Sequence, residues 1–179
     1  MIIGVKKLLQ LVKRKKLVEN LSDRELTNPE GAGFDLRLGE IYEISDRAFL
    51  GIEERQTPNI KLKMKYKKSK IQKITIKPGE YYLITTIEKV NTPKNIVIDF
   101  KPRTTTFRSG LFLRTSVAHP GYRGKLTFGL KNEGPIPVVL ELGCQIVHAQ
   151  FHQVEGYGSL YRGQWQGGRV TTKKRERQI

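Results

Sequence analysis

The stretch Arg103-Thr104-Thr105-Thr106-Phe107-Arg108-Ser109-Gly110 sets two guanidinium forks around three hydroxyls, with a glycine close behind. Fixed positive charge and bidentate donors are what a polyphosphate requires. On a turn leading into a short helix, backbone N–H groups would add to the arginines as an anion cradle. The same residues also read as a polar loop with surface arginines. A second stretch, His119-Pro120-Gly121-Tyr122-Arg123-Gly124, follows closely. Its Pro-Gly pair forces a turn that presents Tyr122, whose ring could stack on a sugar or pack as an ordinary hairpin aromatic. His119 has the side chain best suited to general base work near neutral pH, although a lone loop histidine is often incidental.

Other chemistries find little support. The three histidines, His119, His148 and His152, and the one cysteine, Cys144, lack the spacing of a zinc site. His148 and His152 stand four apart but in a strand-like segment, where that spacing does not bring two rings to one metal. No protein metal site is expected. The His-x-Glu and paired cysteines of zinc deaminases are absent, and no serine-type triad is visible.

These residues need a scaffold. The 179 residues suffice for one domain with a proper core. Val5, Leu8, Leu9 and Val12 recur at helical spacing, with Lys6, Lys7, Lys13 and Arg14 on other faces, which predicts an amphipathic helix packed on its own domain. After about residue 33 the pattern turns strand-like. Phe34, Leu36 and Leu38 alternate with Asp35, Arg37 and Gly39, so Asp35 could face solvent. Ile60, Leu62, Met64 and Tyr66 alternate with lysines, as on a half-buried edge strand. Pro78-Gly79 predicts a turn, and strands are expected at 74–76, 82–84, 96–98, 126–130, 138–140 and 146–151. Many short strands with regular turn signals predict an all-β fold, a distorted barrel or jelly roll, with an N-terminal helix. One β domain over 1–155 is followed by 156–179, rich in Gly, Gln and Arg and expected to be a mobile basic arm.

The net charge is +16, concentrated at 6–16, 61–73 and 173–177. Such a balance favours polyanions, nucleotides and nucleic acid among them, or serves as a Lys-rich soluble surface. No apolar run approaches the roughly 20 residues of a membrane span, and no signal peptide core is visible. With one cysteine and no possible internal disulfide, a cytoplasmic protein is expected.

Taken together the motifs resemble the superfamily of dCTP deaminases and trimeric dUTPases. Gly31-Ala32-Gly33-Phe34-Asp35-Leu36-Arg37-Leu38-Gly39 is similar to the first deaminase motif. Pro78-Gly79-Glu80 and Thr86-Ile87-Glu88 follow its pattern. The run from Arg103 resembles Arg-Ser-Ser-x-x-Arg-x-Gly-Leu, and Tyr122-Arg123-Gly124 with Asn132 resembles the third motif. Leu142-Gly143-Cys144-Gln145-Ile146 and Tyr161-Arg162-Gly163-Gln164 resemble the later ones.

The resemblance implies a trimer with active sites between subunits and Mg²⁺ carried on the nucleotide phosphates. Arg103, Thr104, Thr105, Arg108 and Gln164 would hold the triphosphate, and Val117 and Tyr122 the sugar and base. Two positions depart from the pattern. His119 stands where family members carry an acid, and Gly129 where deaminases carry the glutamate that shuttles protons to the base. These departures favour hydrolysis of dUTP to dUMP and pyrophosphate, with His119 as the catalytic base. The alternatives are a dCTP deaminase using another acid such as Glu133, and a silent nucleotide-binding regulator.

Overall fold

A computed structural model describes residues 1–156 and 158–178. The chain opens with helix α1 (Val5–Lys15), whose last turn carries Lys13, Arg14 and Lys15 against the negative end of the helix dipole. Lys16 closes it in the left-handed conformation, φ 51°, its N–H donating to Val12 and Leu11 carbonyls. Leu8 is fully buried, so the apolar stripe packs on the chain's own core as the spacing predicts. Strand β1 (Val18–Glu19) and the short helix α2 (Asp23–Thr27) follow, the latter capped by the Ser22 hydroxyl accepting from Glu25 N–H.

The strands are β2 (Phe34–Ser45), β3 (Phe49–Leu50), β4 (Glu54–Gln56), β5 (Asn59–Lys65), β6 (Lys73–Ile76), β7 (Tyr81–Asn91) and β8 (Ile96–Pro102). After helix α3 (Thr104–Arg108) come β9 (Leu111–Arg114), β10 (Val117–Ala118), β11 (Arg123–Asn132), β12 (Val138–Glu141), β13 (Gln145–Gln153) and β14 (Glu176–Arg177). Among the described residues the main sheet runs β10-β8-β13-β2-β7-β11-β9, with β1 added to β7 and β5 to β2. It curls into a half-barrel, giving the mostly β fold expected. Pro78-Gly79 forms the expected turn between β6 and β7. The core holds Phe34 edge-to-face with Phe151 at 5.8 Å, and Phe100 with Phe128 at 5.2 Å.

The lysine-coated strand β5 is an edge strand, paired along its length with β2. It buries less than its alternation suggests, since Leu62 is 48% exposed. Two lysines instead reach acids of β2: Lys63 pairs with Glu43, and Lys65 lies 3.1 Å from Glu40. Glu40 is itself buried and also accepts from Thr85 and Tyr42 hydroxyls, each at 2.9 Å. Burial pushes its carboxyl up, but the Lys65, Thr85 and Tyr42 hydrogen bonds and the Lys125 charge outweigh it and bring the pKa to about 2. The resulting stabilisation is complete above about pH 4.5 and is lost as the pH falls towards 2.

On β2, Arg37 turns towards β7. Its backbone N–H donates to Glu88 Oε2 at 2.8 Å and its Nε to Oε1 at 2.7 Å, while Nη2 donates to the Asn20 carbonyl. Glu88 is completely buried.

The C-terminal segment, expected to be a mobile arm, includes Tyr157 and Ile179, which lie outside the described residues. Its described part lies along the domain. Tyr161 N–H donates to the Pro120 carbonyl at 2.7 Å, Thr172 N–H donates to the Thr57 hydroxyl at 2.8 Å, and β14 pairs with β4. No helix of the described residues is long and apolar enough to cross a membrane.

Candidate active site

Pro102 ends β8, and Arg103 caps α3 in an extended conformation. The helix is pinned from below: Thr106 is buried and its hydroxyl donates to the Ile146 carbonyl at 3.1 Å. Thr104, Thr105 and Arg108 are left on the exposed side. Gly110 then turns the chain at φ 84°, because a Cβ there would lie 2.8 Å from Gly134 Cα.

Arg103 is not a free fork. Its Nε lies 3.1 Å from Asp35 Oδ2, and its Nη1 donates to Gln145 Oε1 at 2.7 Å. Asp35 Oδ1 is 2.8 Å from His148 Nδ1, the two residues facing each other in register between β2 and β13. Arg24 joins the same group, donating to Gln145 at 2.9 Å and to Glu25 at 3.0 Å. Burial pushes Asp35 up, but the His148 hydrogen bond and the Arg103 charge prevail and hold its carboxyl below the usual range. The expectation that Asp35 faces solvent is thus overturned: it is 7% exposed. Strand β2 pairs with β13 along one edge, Glu25 of α2 accepts from the Asp35 N–H, and side chains on both faces are buried over the first three residues, so the polar group is met by paired charges rather than by water.

Arg108 differs. It is exposed and makes no ion pair or side-chain hydrogen bond with a described residue. Arg108→Ala should therefore leave stability within about 0.5 kcal/mol of the wild type. It should weaken triphosphate binding roughly 10–100-fold, the worth of charge-assisted hydrogen bonds. A dUTP titration that gives the wild-type affinity would remove Arg108 from the site.

The second motif lines a cavity of about 620 Å³, a size suited to a nucleotide. Val117, His119 and Tyr122 all contribute, together with Tyr81, Leu83 and Thr127 from the sheet. The Tyr122 hydroxyl donates to the Lys125 carbonyl at 2.5 Å, and burial pushes its phenol up to about 12. Tyr161 from the C-terminal segment stacks on His119 at 6.1 Å and meets Tyr122 edge-on at 5.4 Å.

Sequence reasoning passed over Arg55, Arg169 and Trp165, which also line this cavity. Arg55 sits in no motif, although its guanidinium lies 5.7 Å above the Trp165 ring. Trp165, the chain's one tryptophan, follows directly on Tyr161-Arg162-Gly163-Gln164 and was legible from that position. Gln164 accepts from Arg55 Nε and donates to Glu176 at 3.0 Å, so its amide ties the C-terminal segment to β4.

Within one chain the two motifs stand apart. Neither Arg103, Thr104, Thr105 and Arg108 nor Gln164 lines the cavity that holds Val117, His119 and Tyr122. Val117 pairs with Asp99 of β8, and Arg103 lies four residues further along, about 13 Å at the rise of a strand. Among the described residues no group of three or more His, Cys, Asp or Glu could hold a metal ion.

A family model described as dCTP deaminase-like matches residues 2–154. The chain belongs to that family. The dCTP deaminase-like relatives include the dCTP deaminase of Pyrococcus furiosus, 32% identical over 168 residues, covering 93% of this chain and 95% of that one. The probable deoxyuridine 5′-triphosphate nucleotidohydrolase of Methanothermobacter thermautotrophicus is 32% identical over 142 residues, covering 79% and 89%. The fold matches the crystal structure of 2′-deoxycytidine 5′-triphosphate deaminase from Agrobacterium tumefaciens with a TM-score of 0.66 at 16% identity. That match covers 86% of this chain and 49% of the Agrobacterium chain, so the chain spans about half of that protein's length.

Proposed function

We propose that this dCTP deaminase-like protein hydrolyses dUTP to dUMP and pyrophosphate. One observation carries the choice of reaction: among the described residues, the cavity lining contains no aspartate or glutamate, while it contains His119, Arg55 and Arg169. Removing the exocyclic amine of cytosine requires proton transfer to and from the base, for which a positioned acid–base is worth about 10²–10⁴-fold. Splitting a triphosphate rests mainly on charge neutralisation, positioning and an activated water. In this reading water attacks a phosphorus, the bond to the pyrophosphate oxygen breaks, and His119 takes the water's proton. Mg²⁺ would be held through phosphate oxygens, consistent with donors that are arginines rather than a carboxylate cluster. The clamp of Thr104, Thr105 and Arg108, with the Nη2 group of Arg103 that its Asp35 and Gln145 contacts do not use, would be brought to the cavity of another copy in a trimer, which accounts for the separation of the two motifs in one chain.

A dCTP deaminase is the second reading, favoured by the nearly full-length match to the Pyrococcus furiosus protein. Purified protein incubated with Mg²⁺ and either dUTP or dCTP, with pyrophosphate and ammonia followed separately, tests both. Pyrophosphate from dUTP is expected. Ammonia from dCTP would overturn the hydrolase reading, and tight dUTP binding without turnover would leave a nucleotide-binding regulator.

A further inference from the structure

The cavity floor is built from β7 and β11, paired so that Leu83 faces Gly129 and Tyr81 faces Lys131. Residues 81, 83 and 85 therefore share one face of the sheet with 127, 129 and 131. Gly129 leaves a gap on that face, and Tyr81 fills it by leaning across the diagonal pair. A Cβ at 129 would lie 3.0 Å from the Tyr81 ring carbon that bears the hydroxyl, 3.2 Å from the next, and closer still to the hydroxyl oxygen. The phenolic oxygen thus stands where a side chain at 129 would begin. Tyr81 lines the cavity, is 38% exposed, and its hydroxyl makes no hydrogen bond to another described residue.

We propose that the Tyr81 hydroxyl reads the hydrogen-bonding edge of a pyrimidine ring in this cavity, taking the volume that a residue-129 side chain would otherwise occupy. The inference rests on the cavity being the nucleotide site. A phenol donates one hydrogen bond and accepts others, so it matches a carbonyl beside a ring N–H. Burial pushes its pKa up, against the pull of Arg114, so the phenol stays neutral at physiological pH. Tyr81 accordingly binds the base without acting as a carboxylic acid would: it orients the ring while leaving the exocyclic substituent in place. Leu83 and Thr127 complete that wall.

The simpler role for Tyr81 is to cover a glycine, and Tyr81→Phe separates the two. The ring that covers Gly129 is kept and only the hydroxyl is lost. Melting temperature should stay at the wild-type value. Affinity for dUTP in the full-length protein should fall about 2–12-fold, the range of one neutral hydrogen bond. Affinity for inorganic tripolyphosphate, which has no base, should not change. Unaltered dUTP affinity in Tyr81→Phe, or an equal loss for tripolyphosphate, would overturn the assignment while leaving the proposed function standing. A wild-type protein that binds neither dUTP nor dCTP would overturn both.

Discussion

Replacing His119 by alanine should lower the rate of dUTP hydrolysis by about 10²–10⁴-fold while leaving the Michaelis constant near the wild-type value. His119 is exposed within the cavity, follows directly on β10, and its side chain makes no hydrogen bond with a described residue. Its ring stacks on Tyr161, and the backbone bond from Tyr122 N–H to its carbonyl survives substitution, so losing the side chain should cost little stability. The competing role is purely that stack. His119→Phe preserves an aromatic face there and cannot take a proton. If His119 is the base, both variants are equally impaired. A phenylalanine variant with wild-type turnover would assign His119 to packing alone.

The largest effect on stability is expected at Arg37. Its guanidinium and backbone N–H both donate to Glu88, which is fully buried. Arg37→Ala strands that carboxylate, a loss of about 3–5 kcal/mol, or roughly 10 °C in melting temperature for a chain of this size. The pH dependence carries a sign. Even in the wild type, burial outweighs the Arg37 hydrogen bonds and charge and raises the Glu88 carboxyl above its ordinary value of 4.5. A raised carboxyl favours the fold below its ordinary pKa and loses that advantage as the pH rises through the folded value. Without Arg37 the folded value moves higher still, so the deficit of the variant should shrink as the pH is lowered from 7 towards 4.5. Paired melts of wild type and variant across that range measure it, and a constant gap would contradict the burial argument. Replacing both partners, Arg37→Met with Glu88→Leu, should restore part of the loss, since no charge is left stranded although the residue-37 N–H loses its Glu88 acceptor.

Much of the architecture was legible because it depends on periodicity. The helical spacing of Val5, Leu8, Leu9 and Val12 gave α1, and the Pro78-Gly79 turn separated β6 from β7. The resemblance to the dCTP deaminases rested on short ordered motifs, and a dCTP deaminase-like family model matches residues 2–154. Asp35 was misread because alternation marks an interior face only where the opposite face meets water. Here both faces of β2 are buried from Phe34 to Leu36, and charge pairing with Arg103 and His148 replaces solvent. Arg55, Arg169 and Tyr81 reach the cavity through long-range packing, to which local spacing is blind. The distance between the Arg103 clamp and the His119 cavity within one chain is likewise a property of the folded sheet, not of the fifteen or so residues between them.

The shared volume of Tyr81 and Gly129 also shapes how such a protein can change over generations. Any side chain gained at 129 requires the phenol to swing aside or position 81 to become smaller. The two positions thus share one volume, and the residue at either constrains what the other can hold.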